Sequence, residues 1–118
     1  MIYFTRENGM DLEENVNTVL SELKDRLQAL LGDRLSRLVL YGSRARGDYD
    51  RNSDIDIAVI VKNLDRETKD NIFKTVADIE LGYLTPLSTL ILSEEVYNDL
   101  LRRERRIALD IERESVPL

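Results

Sequence analysis

The chain contains neither cysteine nor histidine. That removes disulfides, thiolate zinc sites, cysteine nucleophiles and imidazole bases, leaving any chemistry to carboxylates, hydroxyls, lysine, arginine and the backbone. Long apolar runs are missing too. The longest, Ile57 to Val61, falls far short of the roughly 18 residues that span a bilayer. The opening "MIYFTRENGMD" has neither the basic start nor the apolar stretch of a secretory signal, so a cytoplasmic protein without membrane attachment is expected. Nor is there a basic excess: 17 basic residues against 23 acidic ones leave a net charge of −6, which argues against nucleic-acid binding. The local exception, "RRERR" at Arg102 to Arg106, reads as a solvated helix end or else a docking patch. Aromatics are sparse, and Tyr3, Phe4, Tyr49, Tyr83 and Tyr97 are too scattered for a base-stacking platform, although Tyr49 sits in a charged loop where it can touch a base or sugar.

What is present suits one globular domain over residues 1–118, with enough apolar content for a single core. Asp11 to Leu31 places Val16, Val19, Leu20, Leu23, Leu27, Leu30 and Leu31 on one helical face, with Asp11 as N-cap, Glu14 three residues on and Gly32 as the stop. Leu38 to Tyr41 reads as a strand breaking at Gly42, and Asp54 to Val61 as a second strand paired with it. A second helix is expected over Asp65 to Leu81, closing near Gly82, with Ile72, Val76, Ile79 and Phe73 inward. Thr85 to Leu92 reads as a third strand with Pro86 near its start, and Ser93 caps a third helix with Val96, Leu100 and Leu101 inward. The fold class is therefore α+β, a small mixed sheet with helices packed on it. The tail from Ile107 to Leu118 adds a short strand, packs along the sheet, or contributes to a homo-oligomer or partner interface.

Functional interest concentrates in "LYGSRARGDYDRNSDIDIAV", Leu40 to Val59. Residues two apart on a strand share a face, so Asp54 and Asp56 project together, about 6 to 7 Å apart at the backbone, with Ile55 and Ile57 opposite. Paired carboxylates raise one another's pKa, a cost that magnesium, with its preference for oxygen ligands and substrate phosphates, removes. The plainer reading is an edge strand with a solvated face. Gly42 directly after a strand permits a turn whose N–H groups cradle phosphate, Ser43 adds a hydroxyl, and Arg44 and Arg46 carry guanidinium groups suited to anions. Taken alone, "GSRARG" is equally a strand-to-helix turn paired with Asp48 and Asp50.

The combination "GS", ten residues, then "DID" closely resembles the signature of the polymerase β-like nucleotidyltransferases, in particular the minimal nucleotidyltransferases of prokaryotes. The resemblance implies that Gly42, Ser43 and Arg46 bind the nucleotide, and that Asp54 and Asp56 are catalytic and hold Mg²⁺, two ions in the active complex. It further implies transfer of a nucleoside monophosphate, AMP from ATP, to an acceptor hydroxyl. Minimal members are paired with small helical HEPN ribonuclease toxins, whose tyrosine they adenylylate. Active relatives carry a third carboxylate on a later strand; here "TPLSTLIL" offers Ser88 or Thr89 instead, and Asp78, Glu80, Glu94 and Glu95 are the nearest acids in sequence. Three functions follow: an AMP-transferring antitoxin, a nucleotide- or partner-binding antitoxin with impaired catalysis, and a transferase acting on a small hydroxylated molecule.

Overall fold

The computed structural model describes residues 10–47 and 54–118, without the side chains of residues 10–14. Helix α1, Met10–Leu31, buries Val16, Val19, Leu20, Leu23 and Leu27, the periodic residues of its sequence, while Leu30 at its far end stays exposed. It starts one residue before the expected cap, and the side chains of Asp11 and Glu14 lie outside those described. Gly32, at φ +56, stops it as expected.

Strand β1 is Leu35–Tyr41 and the short helix α2 is Ser43–Arg46. Strand β2, Asp56–Val61, is shorter than the sequence suggests, with Asp54 and Ile55 leading into it. Helix α3 is Arg66–Tyr83, capped by Asp65, whose carboxylate accepts from the Thr68 N–H at 2.8 Å. It closes next to Gly82, as expected, with Tyr83 its last residue. Tyr83 donates to Glu22 of α1 at 2.7 Å, and Leu84 takes the left-handed conformation at φ 52, its N–H donating to the Glu80 carbonyl. Phe73 is exposed because Ile72, Val76 and Ile79 fill the inward face, and Phe73 lies about 100° round the helix from Ile72.

Strand β3, Ser88–Ser93, starts later than expected. The Ser88 N–H opens the ladder by donating to the Ile55 carbonyl at 2.9 Å. Pro86 precedes the strand, so its missing donor costs no ladder bond. Ser93 caps helix α4, Glu94–Arg102, by accepting from the Val96 N–H at 3.0 Å. Val96 itself points outward at 48% exposure and its neighbour Tyr97 is buried, the reverse of the periodic reading, because bonds from Tyr97 to Glu112 and Arg37 set the helix rotation. The tail forms helix α5, Arg106–Glu114, and strand β4, Val116–Pro117. The basic run Arg102 to Arg106 spans the turn between α4 and α5 and is exposed throughout, as a solvated helix end would be.

The four strands lie in the order β3-β2-β1-β4, with β2 parallel to β3 and β1 antiparallel to both β2 and β4. Helices α1 and α3 cover one face, over Leu38, Leu40, Ile57, Val59 and Val61. They run antiparallel, tied by Arg26 to Asp78 at 2.9 Å as well as by Glu22 to Tyr83. Helices α4 and α5 cover the other face, where Tyr97, Ala108 and Ile111 meet Val39, Ala58 and Ile60. Covering both faces explains why β2 reads as continuously apolar from Ile57 to Val61, and each of its buried isoleucines and valines contributes about 1.5–3 kcal/mol.

Candidate nucleotide site

The alternation that buries β1 and β2 also places the polar residues at their ends. In the antiparallel register Tyr41 faces Asp56, and in the parallel register Asp56 faces Ser88, so three polar groups from three strands share one face at one end of the sheet. That face is the one covered further along by α4 and α5. Asp54, exposed, stands just before β2, and buried Ile55 between it and Asp56 preserves the expected alternation.

Gly42 makes the turn possible. At φ 77 and ψ −157 it occupies a region that side chains disfavour, and its carbonyl accepts from the Ala45 and Arg46 N–H groups, both at 3.1 Å, to start α2. A Cβ there would lie 2.4 Å from Oδ2 of Asp56. Backbone and carboxylate are therefore in direct apposition, with no room for a side chain between them. Gly47, at φ 87, ends α2.

Asp56 is held above the ordinary carboxylate range. Burial is the main cause and the charge of Asp54 adds to it, while a hydrogen bond from Ser88 and the charge of Arg46 pull the other way. Burial and the same Asp56 charge also push the Tyr41 phenol up. Among the described residues no three ligating side chains converge as a metal cage. Asp54 and Asp56 beside the turn are thus a like-charge pair, offset in part by Ser88 and by the charge of Arg46.

The two arginines of the motif separate. Arg44 is 4% exposed, whereas Arg46 is exposed and its Nη1 donates to Oε2 of Glu114 at 3.0 Å. Asp48, Tyr49 and Asp50 lie outside the described residues. The choice between Ser88 and Thr89 is also resolved. Ser88 sits beside Asp56, while Thr89 pairs with Ile57, and its hydroxyl is buried without a hydrogen-bond partner among the described residues. The other acids considered as substitutes are engaged elsewhere or exposed. Asp78 pairs with Arg26, Glu80 accepts from the Leu87 N–H at 2.7 Å, Glu94 accepts from the Ser36 hydroxyl at 2.5 Å, and Glu95 is solvent-facing.

Sequence reasoning missed Tyr41 and Glu114. Tyr41 was legible as the strand residue next to Gly42, on the strand paired with "DID". Glu114 is 68 positions from its partner Arg46, and no local pattern connects them.

Residues 20–113 match the nucleotidyltransferase domain family. The chain is 29% identical over 94 residues to "Putative protein adenylyltransferase MJ0141" of Methanocaldococcus jannaschii, covering 79% of this chain and 95% of that one. It is 32% identical over 84 residues to "Putative protein adenylyltransferase MJ0604" of the same organism, covering 71% of this chain and 80% of that one. A solved toxin–antitoxin structure with AMP-PNP is 20% identical, with a TM-score of 0.48 over 86% of this chain and 69% of that one. With its glycine turn against a paired carboxylate on a mixed sheet, the chain belongs to the nucleotidyltransferase domain family, as a minimal nucleotidyltransferase of the polymerase β-like superfamily.

Proposed function

We propose that this nucleotidyltransferase moves AMP from ATP to a hydroxyl of a partner protein. The observation that supports the reading is the apposition of Gly42 to Asp56 at the start of α2, which sets the glycine turn of the motif against an acid that also feels the charge of Asp54. Backbone N–H groups opening α2 and the Ser43 hydroxyl would receive the triphosphate, and the Arg46 guanidinium would balance its charge. Asp54 and Asp56 would hold Mg²⁺. The donor set fits that ion: two carboxylates, one of them kept above its ordinary pKa by burial and by the other, gain most from a hard divalent cation and leave coordination positions for phosphate and water. Two magnesium ions bound there with ATP would supply charge neutralisation at the phosphates and a more acidic acceptor hydroxyl.

In the transfer, the acceptor oxygen bonds to the α-phosphorus, the bond from that phosphorus to the β-phosphate oxygen breaks, and pyrophosphate leaves. The acceptor proton passes to a carboxylate or to water, since the chain has no histidine. Ser88 stands beside Asp56 where a third carboxylate would complete the metal site, so slow turnover is expected. This position also favours the second reading, a nucleotide- or partner-binding antitoxin with impaired catalysis.

The partner we propose is a small helical HEPN ribonuclease toxin, in a cytoplasmic toxin–antitoxin pair, following the resemblance of the "GS"–"DID" motif to minimal members of the superfamily. The net charge of −6 suits docking to a basic RNA-cutting protein. The test is incubation with α-labelled ATP, magnesium and a candidate HEPN-type helical partner, against an Asp54→Asn, Asp56→Asn double variant. Label on the partner with the wild type alone is expected. Absence of label from a nucleotide-binding wild type that still forms the complex would leave the second reading in its place. Turnover on a small hydroxylated molecule without any partner would overturn the protein-acceptor proposal.

A further inference from the structure

We propose that Glu114 is a positioning residue for triphosphate binding, acting through Arg46; the proposal rests on the nucleotide-binding role of the Gly42 turn. Strand β4 explains how a residue so distant in sequence reaches the site. Val116 pairs with Leu40 in antiparallel register, so the chain two residues before Val116 comes level with the residue two beyond Leu40. Those residues are Glu114 and Gly42. Asp56 approaches the same turn across the opposite edge of β1. Arg46, in the last position of α2, has Glu114 as its ion-pair partner on one flank, and its charge acts on Asp56 on the other.

Glu114 stands on a fixed post. Ala108 and Ile111 are fully buried, Glu112 accepts from the Tyr97 hydroxyl at 2.6 Å and pairs with Arg37, and β4 follows at once. It is also the last residue of α5, where the helix dipole disfavours an anion. A carboxylate in that place is better explained by the cation it meets than by the helix it ends. A long arginine side chain loses considerable rotamer freedom when it grips a ligand, and an anchor that fixes it beforehand removes part of that loss. The planar guanidinium can serve two anions from different edges.

A half-exposed ion pair adds little to folding stability, so its effect on binding can be measured in folded variants. Binding of ATP with magnesium to the full chain, by calorimetry, would be compared for wild type, Arg46→Ala, Glu114→Ala, Glu114→Gln and the Arg46→Ala, Glu114→Ala double variant, with thermal melting as the check on folding. Glu114→Ala should weaken ATP binding about fivefold, and Glu114→Gln, whose amide oxygen still accepts from the guanidinium, should stay within about twofold of wild type. The double variant should bind no more weakly than Arg46→Ala alone. Arg46→Lys, which keeps the charge but loses the fork, gives a second measure and should cost about as much as Glu114→Ala. Unchanged or tighter ATP binding by Glu114→Ala would overturn the proposal, the second because Glu114 would then compete with phosphate. So would additive losses in the double variant. Failure of the underlying reading is separately visible: a wild type that does not bind ATP, or an Arg46→Ala variant that binds it equally well, removes the phosphate role of Arg46 without any change at Glu114.

Discussion

Gly42 and Asp56 are pressed so closely together that a Cβ on the first would lie 2.4 Å from the carboxylate oxygen of the second. The turn and the acid can therefore change only together. Gly42→Ala meets two penalties, a left-handed backbone at φ 77 and a collision with Asp56. We expect a loss of about 1–3 kcal/mol in stability by denaturant unfolding, and loss of ATP binding under conditions where the variant remains folded. Wild-type ATP affinity in Gly42→Ala would refute the assignment of this turn to the triphosphate.

Asp56 yields a prediction about pH. Its folded pKa is raised, so the native state favours the protonated acid more than the unfolded chain does. The associated stabilisation is fully present below the ordinary carboxylate pKa and is lost as pH rises through the raised folded value. The metal-free protein should gain stability from this group on mild acidification from neutral pH. Asp56→Asn should remove that component, melt higher than wild type at neutral pH without metal, and show no further stabilisation by magnesium with ATP. Melting curves with and without the ion check each point.

Ser88→Asp adds a carboxylate beside Asp56 in the parallel register. Like-charge repulsion should push Asp56 up further and lower the stability of the metal-free protein. With magnesium, transfer of label from ATP should rise on the order of tenfold, about 1.4 kcal/mol of barrier. A rate no higher than wild type in a folded variant would show that the serine is not what limits turnover.

Tyr97 tests the clamp behind the site. It is buried, donates to Glu112 at 2.6 Å and accepts from Arg37 at 3.1 Å. Burial first, then the bond to Glu112, pushes its phenol from 10.0 up to about 12. Stability from the protonated phenol should be intact below pH 10 and disappear as pH rises through about 12. Tyr97→Phe should cost about 1–2 kcal/mol at neutral pH and lack that alkaline phase in pH-dependent unfolding.

Much of the fold was legible because its signals are local. The apolar period of Val16 to Leu27 needs only the helical repeat, Ser93 is a cap acting over three residues, and Gly42 marks the end of a β-rich run. Errors arose where a distant partner overrode the local pattern. Tyr97 rather than Val96 turned inward because Arg37 and Glu112 hold it.

The site divides in the same way. The spacing of "GS" and "DID", the alternation that sets Asp54 and Asp56 apart from Ile55 and Ile57, and the absence of histidine and cysteine are properties of a continuous stretch or of composition, and the sequence by itself determined them. Only the tertiary structure decided that Asp56 abuts Gly42, that Ser88 and not Thr89 stands beside it, that Arg44 is buried while Arg46 is exposed, and that Glu114 meets Arg46. These depend on strand order and register, which arise from the burial of two sheet faces at once. A one-residue slip in register would exchange every inward and outward side chain, so which groups meet is a property of the whole packed sheet.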